Sequence, residues 1–125
     1  MMNLSASSQD YLETILDLSY QNEEIRSVDI AEKMNVSRAS VNKAIGILKT
    51  MGYITQERYA CIMLTQSGRQ AAINIRDRHN TLKYFFSEVL GIDEDIAEED
   101  ACRMEHAISK ETFEAFKKYI QKETP

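Results

Sequence analysis

Proline occurs once in this chain, as its last residue, and glycine only four times among 125 residues. Both break helices, proline by removing a backbone donor and glycine through its conformational freedom. A chain so poor in them can run in long helices, and its apolar residues recur at the steps of three and four that helix faces require. A first helix is expected from about Ser8 to Tyr20, with Leu12, Ile15, Leu16 and Ser19 on one stripe. Ser7 followed by Asp10 reads as its capping box. A short second helix over residues 27–34 has Ser27 as N-cap and turns Ile30, Ala31 and Met34 inward. Asn35-Val36 makes a tight turn, and Ser37 caps a third helix from about Arg38 to Met51. Its inward stripe is Val41, Ala44, Ile45, Leu48 and Met51, and Gly52 stands where a C-cap is needed.

Tyr53 to Arg58 and Cys61 to Leu64 read as two short strands joined around Tyr59-Ala60. One long helix is expected from Thr65 to Leu90, with Ala72, Ile75, His79, Leu82, Phe86 and Val89 on its buried face and Gly91 as its stop. Two more helices follow, about Asp93 to Ala107 and Ser109 to Lys122. The order helix, turn, capped helix, hairpin is a winged helix-turn-helix. The fold expected is therefore mainly α, a winged helix-turn-helix over residues 1–70 followed by an all-helical dimerisation domain over 71–125. Dimerisation is expected because Phe113, Phe116, Tyr119 and Ile120 give the last helix an apolar face that a small acidic half cannot fully bury. Packing of that face within the chain is the alternative.

Charge sharpens the division. The net charge is −5 and the pI near 5.1, an average that argues against a nucleic-acid partner. Residues 1–78, however, hold nine acidic and nine basic side chains, whereas residues 79–125 hold eleven acidic against six basic, which is the whole excess. Within residues 33–58, Lys33, Arg38, Lys43, Lys49 and Arg58 face Glu57 alone. A third helix presenting Arg38, Ala39, Asn42 and Lys43 can enter the major groove of double-stranded DNA, where Arg and Lys pair with guanine and Asn with adenine. Ser37, Ser40 and Lys49 suit phosphates, and Arg58 on the wing suits the backbone or minor groove. Two cysteines, Cys61 and Cys102, make no disulfide framework and suit a reducing cytoplasm. No stretch reaches 18 apolar residues, so neither a membrane span nor a membrane partner is expected.

In the acidic half, Cys102, Glu105 and His106 stand at i, i+3 and i+4 on one expected helix. A thiol, a carboxylate and an imidazole then share a face, which is metal-ligand chemistry at metal-ligand spacing. His79, on an apolar stripe, is either a hydrogen-bonded core residue or a further ligand. Asp10 and Glu13 each have a plain reading, as a capping carboxylate and as a water-facing one.

Four segments, Ser-Gln-Asp-Tyr-Leu-Glu-Thr-Ile (8–15), Asp-Ile-Ala-Glu-Lys-Met-Asn-Val-Ser (29–37), Leu-Thr-Gln-Ser-Gly (64–68) and Asp-Ala-Cys-Arg-Met-Glu-His (100–106), resemble the diphtheria-toxin-repressor and manganese-transport-regulator family. The resemblance runs from about Ser7 to Ile120 and implies a dimeric winged-helix repressor that binds operator DNA when loaded with Fe(II) or Mn(II). It implies that Asp10, Glu13, His79, Cys102, Glu105 and His106 are ligands, and that bound metal sets the positions of the two reading heads for successive major grooves. The chain ends at Pro125, so the short form without an SH3-like domain is implied.

Several positions depart from the family pattern. Iron-responsive members pair the cysteine with a methionine where this chain has Asp10, and manganese-responsive members have a glutamate at the Cys102 position. A thiolate favours Fe(II) over Mn(II), whereas Asp10 and Glu13 are hard donors suited to Mn(II), so Fe(II) is expected slightly ahead. The iron-responsive branch also uses a glutamate and a histidine at positions that here are Lys83 and Glu98, where an ion pair is expected to replace part of an ancillary site. One rival reading is a winged-helix regulator that works without metal, its six candidate ligands forming a polar interior. The other is an enzyme with Cys102 as nucleophile and His106 as base. Neither an oxyanion-hole motif nor a glycine-rich phosphate loop supports it, so no catalytic residue and no small-molecule substrate is expected.

Overall fold

The computed structural model describes residues 4–22, 24–57 and 61–123. Two compact units form, with the boundary between Asn74 and Ile75. In the first, α1 (Ala6–Gln21), α2 (Ser27–Met34) and α3 (Arg38–Thr50) precede a hairpin of β1 (Ile54–Gln56) and β2 (Ile62–Leu64). The helix α4 (Gln66–Tyr84) begins in this unit and ends in the second. There it runs into a π-helical turn, Phe85–Val89, followed by α5 (Glu94–Met104) and α6 (Lys110–Glu123). The mainly helical architecture with a winged helix-turn-helix at its start agrees with the sequence reading. Among the described residues no helix is long and apolar enough to cross a membrane.

The helix ends show which local signals win. Ser5, not Ser7, caps α1: its Oγ accepts from the Ser8 amide at 3.1 Å, so the Ser7–Asp10 capping box does not form. Starting earlier lets Ser8 and Gln9 join Tyr11, Leu12, Ile15 and Leu16 on the buried side. Arg26 rather than Ser27 is the N-cap of α2, because the Asp29 carboxylate accepts from the Arg26 amide at 2.9 Å. Ser37 caps α3 as expected, accepting from the Ser40 amide at 3.1 Å. Between α2 and α3, Asn35 takes a left-handed φ of 55°, a conformation its short polar side chain tolerates. Gly52 does the same after α3 at φ 80°, and the Tyr53 amide closes the wrap on the Leu48 carbonyl at 3.0 Å. Met51, expected on the inward stripe, is instead the C-cap and stays 39% exposed.

That wrap also shortens the first strand, since the Tyr53 amide is committed to α3. The hairpin pairs Ile54 with Leu64, Thr55 with Met63 and Gln56 with Ile62, burying Ile54 and Ile62. The Ile62 amide donates to the Ile25 carbonyl at 2.8 Å, tying the wing to the segment before α2. Arg58 and the Tyr59-Ala60 connection lie outside the described residues.

Gly68 packs its backbone directly against Tyr53. A Cβ there would stand 1.8 Å from the Tyr53 carbonyl oxygen. Gly68→Ala is therefore expected to destabilise the chain by about 2–3 kcal/mol through forced separation of α4 and the wing. Gly46→Ala, where a Cβ meets nothing within 4 Å, should gain about 0.5–1 kcal/mol. Urea unfolding of both variants measures the contrast, and equal effects would contradict it.

In the second unit, Leu82, Phe86, Ala97 and Ala101 form the core, with Phe85, Ile92, Met104, Ile108 and Phe116 packed around them. The sequence predicted regular helix through Leu90. Instead α4 gives way to the π-helical turn, in which the Leu90 amide reaches back five residues to Phe85 at 3.0 Å. The wider turn lets the adjacent Phe85 and Phe86 both pack inward, with Phe85 edge-on to Phe116 at 4.6 Å and to Tyr119 at 5.8 Å. Likewise α5 stops at Met104, three residues before its expected end, as the Ala107 and Ile108 amides both turn back to the Met104 carbonyl. Ser109 then caps α6, accepting from the Thr112 amide at 3.1 Å.

Candidate functional site

In the first unit, α3 buries Val41, Ala44, Ile45 and Leu48 and so must present its other face to solvent. Arg38, Ala39, Ser40, Asn42, Lys43 and Lys49 are all exposed there, as is Ser37. Ser37 and Ser40 are already engaged with each other, Oγ to Oγ at 3.0 Å, as part of the cap. On α1, Asp10 is exposed and Glu13 half-buried, three residues apart and hence on one face.

In the second unit a polar cluster grows out of the apolar stripe of α4. His79 is 6% exposed, one helical turn from the buried Ile75 and Leu82. From the end of α5, Glu105 comes to its Nδ1 with Oε1 at 3.3 Å, and Cys102 Sγ lies 3.7 Å from the same nitrogen. Across the ring, Nε2 is 3.0 Å from Glu98 Oε1. Three of the four second-unit residues expected as ligands, His79, Cys102 and Glu105, are thus brought together. His106 lies beyond the end of α5, so the shared helix face holds only in part. The chain's turn keeps it adjacent nonetheless, with Nε2 at 3.9 Å from Glu105 Oε1.

Hydrogen bonding to Glu105 raises the His79 pKa above its usual range, against the opposing effect of burial, and Glu98 adds to the rise. Burial pushes the Glu98 carboxyl upward, but the hydrogen bonds from Lys83 and His79 outweigh it and hold the group below its ordinary value. The expected Lys83–Glu98 ion pair is formed, at 3.2 Å. Spacing alone did not foresee that Glu98 also reaches His79. The usable signal was its place four residues, one turn, before Cys102 on α5.

The donor set fits a divalent transition metal. Ligand atoms of His79, Glu98 and Cys102 lie within 4.8 Å of one another. Glu105 is 3% exposed, and its Oε2 is buried with no hydrogen-bond partner among the described residues. A buried carboxylate oxygen without a donor is costly, and a cation is one way to satisfy it. Thiolate, imidazole and carboxylate together form a borderline-soft set suited to first-row divalent ions.

The apolar residues of α6 divide. Phe113 is buried beneath Arg78, whose guanidinium stands 5.5 Å from the ring centroid and whose Nη2 donates to the Ile108 carbonyl. Phe116 belongs to the core edge, Ile120 is half-buried and Tyr119 is 47% exposed.

Comparison with known proteins agrees with both halves. Residues 3–62 match the family model for the iron dependent repressor N-terminal DNA binding domain, and residues 65–124 the model for its metal binding and dimerisation domain. A regulator of Methanocaldococcus jannaschii, described as an uncharacterized HTH-type transcriptional regulator, is 38% identical over 95% of this chain and 96% of its own length. The transcriptional regulator MntR of Escherichia coli O157:H7 is 40% identical over 90% of this chain and 72% of its own. Among solved structures, the manganese regulator SloR superposes with a TM-score of 0.79 at 29% identity, over 91% of this chain and 53% of that one. This chain therefore spans about half the length of that structure. With α3 and the histidine–cysteine–carboxylate cluster falling in the matching domains, the chain belongs to the iron-dependent repressor family of metal-dependent transcriptional regulators.

Proposed function

We propose that this chain represses transcription by binding operator DNA as a homodimer when a divalent metal, Fe(II) ahead of Mn(II), occupies the His79 cluster. The observation that carries the reading is the convergence of Cys102 Sγ and Glu105 Oε1 on His79 Nδ1, with Glu105 Oε2 buried and lacking a donor among the described residues. His79, Cys102, Glu105 and His106 hold the metal in this proposal, and Asp10 and Glu13 enter it on the family pattern. The bound cation supplies charge neutralisation and orientation, not reaction chemistry. Deprotonated Cys102 favours Fe(II), while the carboxylates keep Mn(II) competitive. On the DNA side, Arg38, Asn42 and Lys43 read base edges on the face that also carries Ala39; Ser37, Ser40 and Lys49 lie along the phosphates, and Arg58 serves the backbone or minor groove. The dimer interface draws on the α6 face of Phe113, Phe116, Tyr119 and Ile120 through its accessible members, Tyr119 and the half-buried Ile120, while Phe113 and Phe116 back that face from within the chain. A reducing cytoplasm suits both the thiolate and the partner.

The test is binding to a duplex selected by the metal-loaded protein from random-sequence DNA. Anaerobic Fe(II) or Mn(II) should tighten binding at least tenfold over chelator-treated protein, a coupling of about 1.4 kcal/mol or more. Affinity indifferent to metal and chelator would favour a metal-independent regulator.

A further inference from the structure

We infer that Lys83 and Glu98 are positioning residues that make His79 offer Nδ1, and not Nε2, to the metal, an inference that rests on the metal reading above. A neutral imidazole carries one proton, and the nitrogen that keeps it cannot bind a metal. Each ring nitrogen of His79 faces a different environment. Nε2 points at Glu98 Oε1, 3.0 Å away, whereas Nδ1 faces Glu105 Oε1 at 3.3 Å and Cys102 Sγ at 3.7 Å. The donors suited to hold a cation therefore lie on the Nδ1 side.

Glu98 is near enough to be taken for a ligand, and its neighbours decide otherwise. Its Oε1 is occupied by His79, and its Oε2 by the Lys83 ammonium at 3.2 Å. Its side chain is 47% exposed, so water competes for whatever capacity remains. Glu105 is the opposite case, buried, with Oε2 lacking any hydrogen-bond partner among the described residues. Lys83 sits four residues after His79 on α4, hence on the same helix face, and a protonated amine accepts no metal. It is a fixed cation that pins Glu98 while Glu98 holds the Nε2 proton. This is the carboxylate–histidine–metal arrangement, with an ammonium as the anchor of the carboxylate.

The experiment uses the full chain loaded with diamagnetic Zn(II) and long-range proton–nitrogen spectra of the imidazole rings. Only two histidines occur, so a His106→Gln variant assigns His79 directly. The expected pattern is a protonated Nε2 and a metal-bound Nδ1. Glu98→Gln keeps an acceptor for Nε2–H and should reduce Zn(II) affinity only a few-fold with the pattern unchanged. Glu98→Ala and Lys83→Met should reduce it about 10- to 100-fold. Lys83→Arg should restore most of the loss. Zn(II) on Nε2, or Glu98→Gln as damaging as Glu98→Ala, overturns the inference and makes Glu98 a ligand while leaving the metal centre standing. A wild-type chain that takes up neither Zn(II) nor Co(II) overturns the metal reading and this inference together.

Discussion

Replacing Arg38 and Lys43 together by alanine is expected to weaken binding to a selected duplex by roughly a hundredfold or more. Both side chains are exposed on the face of α3 opposite Val41, Ala44, Ile45 and Leu48, so their removal leaves the core untouched. Alanine is also the best helix former, and the Ser37 cap is unaffected. Urea midpoints of the variant and the parent should therefore agree closely. The salt dependence carries the mechanism. Each phosphate deprived of its protein cation should lower the slope of log affinity against log salt by about 0.9, whereas removing a hydrogen bond to a base edge leaves the slope in place. Unchanged affinity and slope would remove α3 as the reading element.

The second large effect is expected at Cys102. Cys102→Glu should lower Fe(II) and Co(II) affinity on the order of tenfold or more and bring Mn(II) level with or ahead of Fe(II), because a hard carboxylate replaces the soft donor. Competition titrations with the chain in both forms measure the order, and an unchanged Fe(II)-to-Mn(II) ratio would sink the thiolate argument. The same titrations carry a pH signature. Since the His79 pKa is raised by Glu105 and Glu98, a metal must displace its proton through and somewhat above the ordinary imidazole range. Affinity should thus fall as pH drops through that range, by about tenfold per unit for each proton displaced. The parent, which must also release the Cys102 proton, should show the steeper dependence of the two.

How much of this was legible beforehand depended on how local the cause was. The α3 stripe from Val41 to Leu48, the Ser37 cap and the Gly52 stop are decided within one or two turns and are found where periodicity placed them, whereas Met51, at the end of that stripe, is turned out by the C-cap. The caps of α1 and α2 were misplaced by one or two residues because several polar residues compete there. Ser5 against Ser7, and Arg26 against Ser27, are settled by which side chain reaches a donor, a matter of backbone angle. His79 was ambiguous in sequence because an imidazole on an apolar stripe is more often a hydrogen-bonded core residue than a ligand, yet can be either. The structure brings Glu98, Cys102 and Glu105 up to its ring from a later segment, and no spacing along the chain encodes that meeting. The acidic excess of residues 79–125 pointed to the right half of the chain without pointing to the residues. The π-helical turn was invisible, since what accompanies it is the packing of two neighbouring phenylalanines, Phe86 buried and Phe85 half-buried, against helices that come later.

That turn has an evolutionary side. A π-helical turn holds one residue more than the α-helical turn it replaces, and one residue on an α-helix corresponds to a rotation of about 100°. Deleting a single codon within residues 85–89 would leave α4 and its His79 in place while rotating and drawing in all that follows. Glu98, Cys102 and Glu105 travel together on the far side of this joint, so their mutual arrangement survives while their approach to the histidine changes. The length of this joint therefore fixes how the side chains of the following segment meet His79, and a change in it would act on the cluster without replacing any of its residues.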